Sequence, residues 1–184
     1  AIAIVITLFW QTYQNGKNSQ IIEGRDYTLV EKPRRIRDGK IELIEFFSYA
    51  CVHCYRLEPI LEDWLPNQKN KIEFVQIPAV MNNYWSILGK HFFTLKRLEK
   101  LESHHMGIFN AIHSTGKTFD SEKKLFDFVK TTAIEFDSYE KTFRSIEVQS
   151  DLQKANQMAR RLKISAVPTL VVQGKYLVKT GRDI

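Results

Sequence analysis

Apolar residues run nearly unbroken in a few short stretches near the two ends of the chain and recur every three to four positions between them, which predicts strands flanking a helical middle. Tyr27 to Val30 reads as a short extended segment stopped at Lys32-Pro33, because proline has no N–H to give to a ladder. After an Asp38-Gly39 turn, Lys40 to Ser48 (KIELIEFFS) is β-rich and largely apolar, the composition of a strand covered on both faces. The period then changes. Cys54, Leu57, Ile60, Leu61 and Trp64 fall at helical spacing as far as Leu65-Pro66, with Pro59 inside predicting a kink. Lys71 to Ile77 reads as a second strand closed by Pro78, and a strand–helix–strand unit implies a parallel pair.

From Met81 to Leu162 no strand pattern occurs. Five amphipathic segments are predicted there: Tyr84 to Leu101, Ser103 to Ile112, Ser121 to Thr132, Ser138 to Ile146 and Asp151 to Leu162. Thr169 to Val172 and Lys175 to Val178 flank Gln173-Gly174, a hairpin introduced by Val167-Pro168. The expected organisation is therefore an α/β core from residues 24–80 and 163–184, an all-helical insertion at 81–162, and an N-terminal segment at 1–23.

That first segment opens with AIAIVITLFW, which as a helix would reach only about 15 Å, half of the roughly 30 Å hydrocarbon core of a bilayer. It is read as the end of a signal peptide or membrane anchor, with a first strand or a buried N-terminal segment as the alternative.

At 184 residues, 43% of them hydrophobic and 26% charged, the chain suits one core with an inserted subdomain, and disordered or multi-span membrane classes are excluded. The net charge of +6 raises nucleic-acid binding as a hypothesis. The densest basic group, Lys32, Arg34, Arg35, Arg37 and Lys40, is interrupted by Pro33 and Asp38 and has no accompanying recognition motif, so a solvated basic surface is the better reading.

The two cysteines, Cys51 and Cys54, concentrate the chemistry in one place. Cys51 falls at the first turn of the predicted helix, where unsatisfied N–H groups and the positive end of the macrodipole stabilise a thiolate. Cys54 lies on the buried stripe with Leu57 and Leu61, so its thiol is expected to be sheltered and hard to ionise. An exposed, low-pKa sulfur beside a sheltered one is what thiol–disulfide exchange requires. His53, between them, adds positive charge near the thiolate when protonated. A structural zinc site would need two further ligands, and His91, His104, His105 and His113 offer no finger-like spacing to Cys51, so no metal is expected. A purely structural disulfide closing so short a loop would contribute little stability.

Phe46-Phe47-Ser48-Tyr49-Ala50-Cys51-Val52-His53-Cys54-Tyr55 closely resembles the active-site segment of the DsbA family of thiol:disulfide oxidoreductases. Ala166-Val167-Pro168-Thr169, followed by Val172-Gln173-Gly174-Lys175-Tyr176, resembles its cis-proline loop and hairpin, and Tyr27 to Pro33 its N-terminal strand. The resemblance implies a thioredoxin-like fold with an inserted all-helical subdomain, a cis Pro168 packed against the cysteine pair, and Val167, Thr169 and Val52 beside the substrate peptide. Glu45, six positions before Cys51 on the predicted central strand, matches an acidic residue of the family; buried near the thiol pair it would have a raised pKa and serve as proton acceptor for Cys54, and the alternative is a strand-end carboxylate in water.

The implied function is a periplasmic dithiol oxidase that needs no cofactor, acts as a monomer on folding secreted proteins, and is reoxidised by a membrane partner of DsbB type. Two other readings stay open: a reductase or isomerase on the same fold, and a non-catalytic peptide-binding or chaperone module. The sequence departs from the best-known family members in having Val52-His53 where they have Pro-His, in lacking a lysine to match a charged residue on the Lys71 to Ile77 strand, and in stopping at Ile184 before the family's terminal helix.

Overall fold

The structure, a computed structural model, describes residues 21–33 and 39–178. The apolar run at residues 1–10, part of the basic group and the chain beyond Val178 lie outside them. Five strands form one mixed sheet in the order β1-β5-β4-β2-β3: β1 (Tyr27–Leu29), β2 (Ile41–Phe47), β3 (Ile72–Pro78), β4 (Thr169–Val172) and β5 (Tyr176–Val178). The β2–β3 pair is parallel, with Glu45 opposite Gln76, and β2 pairs antiparallel with β4 on its other edge, with Glu45 opposite Leu170. β5 pairs antiparallel with both β4 and β1.

The crossover from β2 to β3 carries helix α1 (Val52–Trp64), which runs through Pro59 and ends in a 3-10 turn at Leu65–Gln68. Between β3 and β4 lie α2 (Asn83–Arg97), α3 (Leu101–His113), α4 (Glu122–Val129), α5 (Phe136–Phe143) and α6 (Ile146–Arg161). Serine and asparagine caps define several of these starts: Asn82 Oδ1 accepts from Trp85 N at 2.9 Å and Ser145 Oγ from Val148 N at 3.2 Å. The Ser145 cap explains why α6 begins five residues ahead of the predicted Asp151. The periodicity is weak there because Ile146, at the first helical position, is 79% exposed.

Alternation along β2 sends its side chains to two cores. Ile44 and Phe46 join Val30, Ile77, Ala155, Leu162 and Val171 on one side of the sheet. Phe47 joins Tyr49, Cys54 and residues of α2 to α5, including Phe92, Phe109, Leu125 and Tyr139, on the other. The floor beneath the cysteine pair is thus continuous with the core of the helical segment. Among the described residues no helix is long and apolar enough to cross a membrane.

Candidate active site

Cys51 is the N-cap of α1, in extended backbone at φ −94° and ψ 116°. Its Sγ accepts a hydrogen bond from Cys54 N at 3.4 Å, and its own N–H is given to Ser48 O at 3.0 Å, which fixes the approach to the helix. The thiol is half-buried, whereas Cys54 is fully buried, and both are free thiols in this structure, the dithiol form. The two sulfurs titrate in opposite directions. A hydrogen bond from the Cys54 side chain, opposed by burial and joined by backbone donation from Cys54 and His53, brings Cys51 down from 9.0 to about 6. Burial, then the hydrogen bond to Cys51, pushes Cys54 far above the usual thiol range.

The loop before β4 closes the site beside Cys51. The Val167–Pro168 peptide is cis, the isomer the resemblance implies, and Val167 O accepts from Cys51 Sγ at 3.4 Å. Pro168 is buried, while Thr169 turns its hydroxyl back onto Ala166 O at 2.7 Å. Val52 and His53 are exposed beside Cys51, and Ile60 and Trp64 are further exposed apolar residues of α1.

Glu45 has no solvent exposure, so the strand-end carboxylate in water does not occur. Its Oε2 accepts from Gln76 Nε2 at 2.9 Å, and its Oε1 is buried with no hydrogen-bond partner. Desolvation, then the nearby Glu58 carboxylate, pushes Glu45 up to about 8, so at neutral pH it holds a proton that it can exchange.

The same pocket holds three residues to which the sequence assigns no part in the redox site, Glu58, Gln76 and His105. Glu58 sits four positions after Cys54 on the buried stripe of α1, and Gln76 bridges it to Glu45, with Nε2 3.0 and 3.2 Å from the two Glu58 oxygens. His105, from α3, reaches in from the helical segment: its Nε2 is 3.0 Å from Glu58 Oε1 and its Nδ1 2.7 Å from Tyr49 Oη. One signal was available: a glutamate at i+4 from Cys54, in the middle of an apolar stripe, needs a partner if the stripe is buried.

The remaining histidines are spread apart. His113 bonds Tyr49 O at 2.8 Å and stacks on Tyr55, whose hydroxyl is given to Asn110 Oδ1 at 2.9 Å, tying α3 to α1. His91 is buried against Tyr139 Oη at 2.7 Å. Among the described residues no group of three His, Cys, Asp or Glu side chains is placed to hold a metal ion.

A helix-capping cysteine of low pKa, a sealed partner three residues on and an adjoining cis-proline loop, all on a thioredoxin-like sheet with helices inserted between β3 and β4, define a thiol–disulfide exchange protein. The comparisons agree. Residues 85–183 match the family model described as "DSBA-like thioredoxin domain". The chain is 35% identical over 161 residues to the thiol:disulfide interchange protein DsbA of Azotobacter vinelandii, covering 86% of this chain and 74% of that protein. With the DsbA of Pseudomonas aeruginosa the identity is 30% over 159 residues, covering 86% and 75%. The crystal structure of Pseudomonas aeruginosa DsbA superposes with a TM-score of 0.80 at 29% identity, covering 86% of this chain and 83% of that one. The DsbA of Xylella fastidiosa gives 0.79 at 29%, covering 89% of each. The chain belongs to the DsbA family of thiol:disulfide oxidoreductases.

Proposed function

We propose that this protein donates the Cys51–Cys54 disulfide to proteins that fold in the periplasm. The observation that carries the reading is the inequality of the two thiols: Cys51 is reachable and favoured as a thiolate, Cys54 is sealed and favoured as a thiol. A substrate thiolate attacks Cys51 Sγ and the enzyme's S–S bond breaks. Cys54 leaves as a thiolate and takes the proton held by Glu45. A second substrate thiolate then attacks the substrate sulfur of the mixed disulfide, and Cys51 leaves as a stabilised thiolate. Two electrons pass from the substrate dithiol to the cysteine pair, and the substrate keeps the disulfide. Because the reduced form is the one the helix N-terminus stabilises, the disulfide is a strong oxidant.

His53 contributes a backbone donor and, when protonated, a positive charge near Cys51. Val167, with Thr169 and the exposed Val52, forms the bed for an extended substrate, which can pair with this loop as an added strand. Residues 81–162 act as an inserted subdomain that roofs the site, with the described parts of 24–80 and 163–184 as the core. The protein works as a monomer without a cofactor, and a membrane protein of DsbB type reoxidises it.

The test is stoichiometric oxidation of a reduced dithiol peptide by the pre-oxidised protein. The wild type should convert about one equivalent of peptide dithiol, and Cys51→Ala none. Equal conversion by Cys51→Ala would overturn the enzyme reading in favour of a binding module.

A further inference from the structure

The two buried carboxylates, Glu45 and Glu58, are not equivalently surrounded. Glu58 receives Gln76 Nε2 on both oxygens and His105 Nε2 on one, whereas Glu45 receives Gln76 on Oε2 alone and keeps Oε1 unpartnered. Two like charges this close in a desolvated pocket do not both ionise readily, so something decides which of them keeps the proton.

With Glu58 ionised the carboxylate only accepts, so His105 Nε2, 3.0 Å from Oε1, carries the proton, and Gln76 Nε2, 3.4 Å from that nitrogen, gives its own protons to the carboxylates. Tyr49 Oη, 2.7 Å from Nδ1, completes that tautomer by donating its hydroxyl proton to the unprotonated ring nitrogen. We propose that His105 is a positioning residue of the redox site: by donating Nε2–H to Glu58 it makes Glu58 the ionised member of the pair and leaves the proton on Glu45, within electrostatic range of Cys54.

The proposal rests on the reading of Glu45 as the proton donor to Cys54 and adds the residue that sets it. It also gives the helical segment a part in the chemistry, because His105 is carried by α3 while both carboxylates belong to the sheet and its first helix. The titratable groups facing the pair are Cys51, Cys54 and Tyr49 around the start of α1, and His105 from α3. His91 of α2 lies behind Tyr49 at a ring distance of 6.0 Å, bonded in turn to Tyr139 of α5.

The test follows the protonated-carboxyl C=O band of the reduced, full-length protein against pH by infrared difference spectroscopy, taking Glu45→Gln in each background as the blank. In the wild type one band, removed by Glu45→Gln, should titrate near pH 8. In His105→Phe its midpoint should fall by about one unit or more, a tenfold loss of proton affinity, and a second band removed by Glu58→Gln should appear. His105→Gln, whose amide N–H reaches the same place, should restore the wild-type midpoint. If His105→Phe does not fold, Tyr49→Phe decides, with a smaller shift in the same direction expected.

An unchanged midpoint in the folded variant would overturn the role of His105 while leaving Glu45 in place. Absence of any band removed by Glu45→Gln in the wild type would overturn the Glu45 reading itself, and the proposal with it.

Discussion

The sulfur of Cys51 lies 3.4 Å from the main-chain oxygen of Val167, so the half-buried thiol and the cis-proline loop form one locus. Two segments far apart in sequence make it, and the sheet brings them together: β2 delivers Cys51 at its C-terminal end, and β4, paired to β2 with Phe46 opposite Thr169, begins immediately after the loop.

The first prediction concerns the coupling of the two thiols. The Cys54 side chain is the largest influence lowering Cys51, so Cys54→Ala should raise the Cys51 midpoint from about 6 toward 9.0, by about one unit or more. Ultraviolet thiolate absorbance against pH measures it directly. A midpoint that stays near 6 would assign the lowering to the helix N-terminus alone.

Stability should follow pH with a definite sign. The Cys51 thiol is lowered in the folded reduced protein relative to its ordinary value of 9.0, so its contribution is complete above pH 9 and is lost as pH falls through 6. The oxidised protein has no such thiol, while the burial and the Glu58 carboxylate that chiefly raise Glu45 are common to both forms. The stability of the reduced protein relative to the oxidised one should therefore rise between about pH 5 and about pH 8, by about 1–2 kcal/mol, because half-exposure of Cys51 screens the full effect. Urea unfolding of both forms at the two pH values gives the difference, and a fall with rising pH would contradict the assignment.

Phe47 has no exposure and packs edge-on against Tyr49, Phe92 and His105 beneath the cysteine pair. Phe47→Ala should cost about 3–5 kcal/mol by the lost burial and the cavity left behind. Denaturant unfolding should show this as a lower midpoint with an unchanged slope.

The start of α2 offers a milder perturbation. Asn82→Ala removes the acceptor for Trp85 N and should cost about 1 kcal/mol, whereas Asn82→Asp, which keeps a capping oxygen, should cost less. Equal losses in the two variants would mean that Asn82 serves through packing.

The elements nearest the chemistry are the ones most legible in the sequence. The β-rich, largely apolar run of Ile41 to Phe47, the switch to helical period at Cys51, and the return to strand at Ile72 are local signals, and each sits within a residue or two of the observed element. The cis geometry at Pro168 came from resemblance, since nothing in Val167-Pro168 itself departs from an ordinary trans pair. The polar pocket under the cysteines was only partly legible. Glu45 stands six positions before Cys51 on the central strand and matches an acidic residue of the family, but Gln76 and His105 are unremarkable in their own segments. They acquire meaning only when β3 and α3 are folded against α1, a long-range juxtaposition that periodicity does not encode.

The central claim is that the Cys51–Cys54 disulfide is an oxidant, and its reduction potential tests that most directly. Equilibration of the pair with a glutathione redox buffer should give a potential well above about −200 mV, the upper end for glutaredoxins, as stabilisation of the Cys51 thiolate demands. A value near about −270 mV, where thioredoxin lies, would make the protein a reductant and contradict the account.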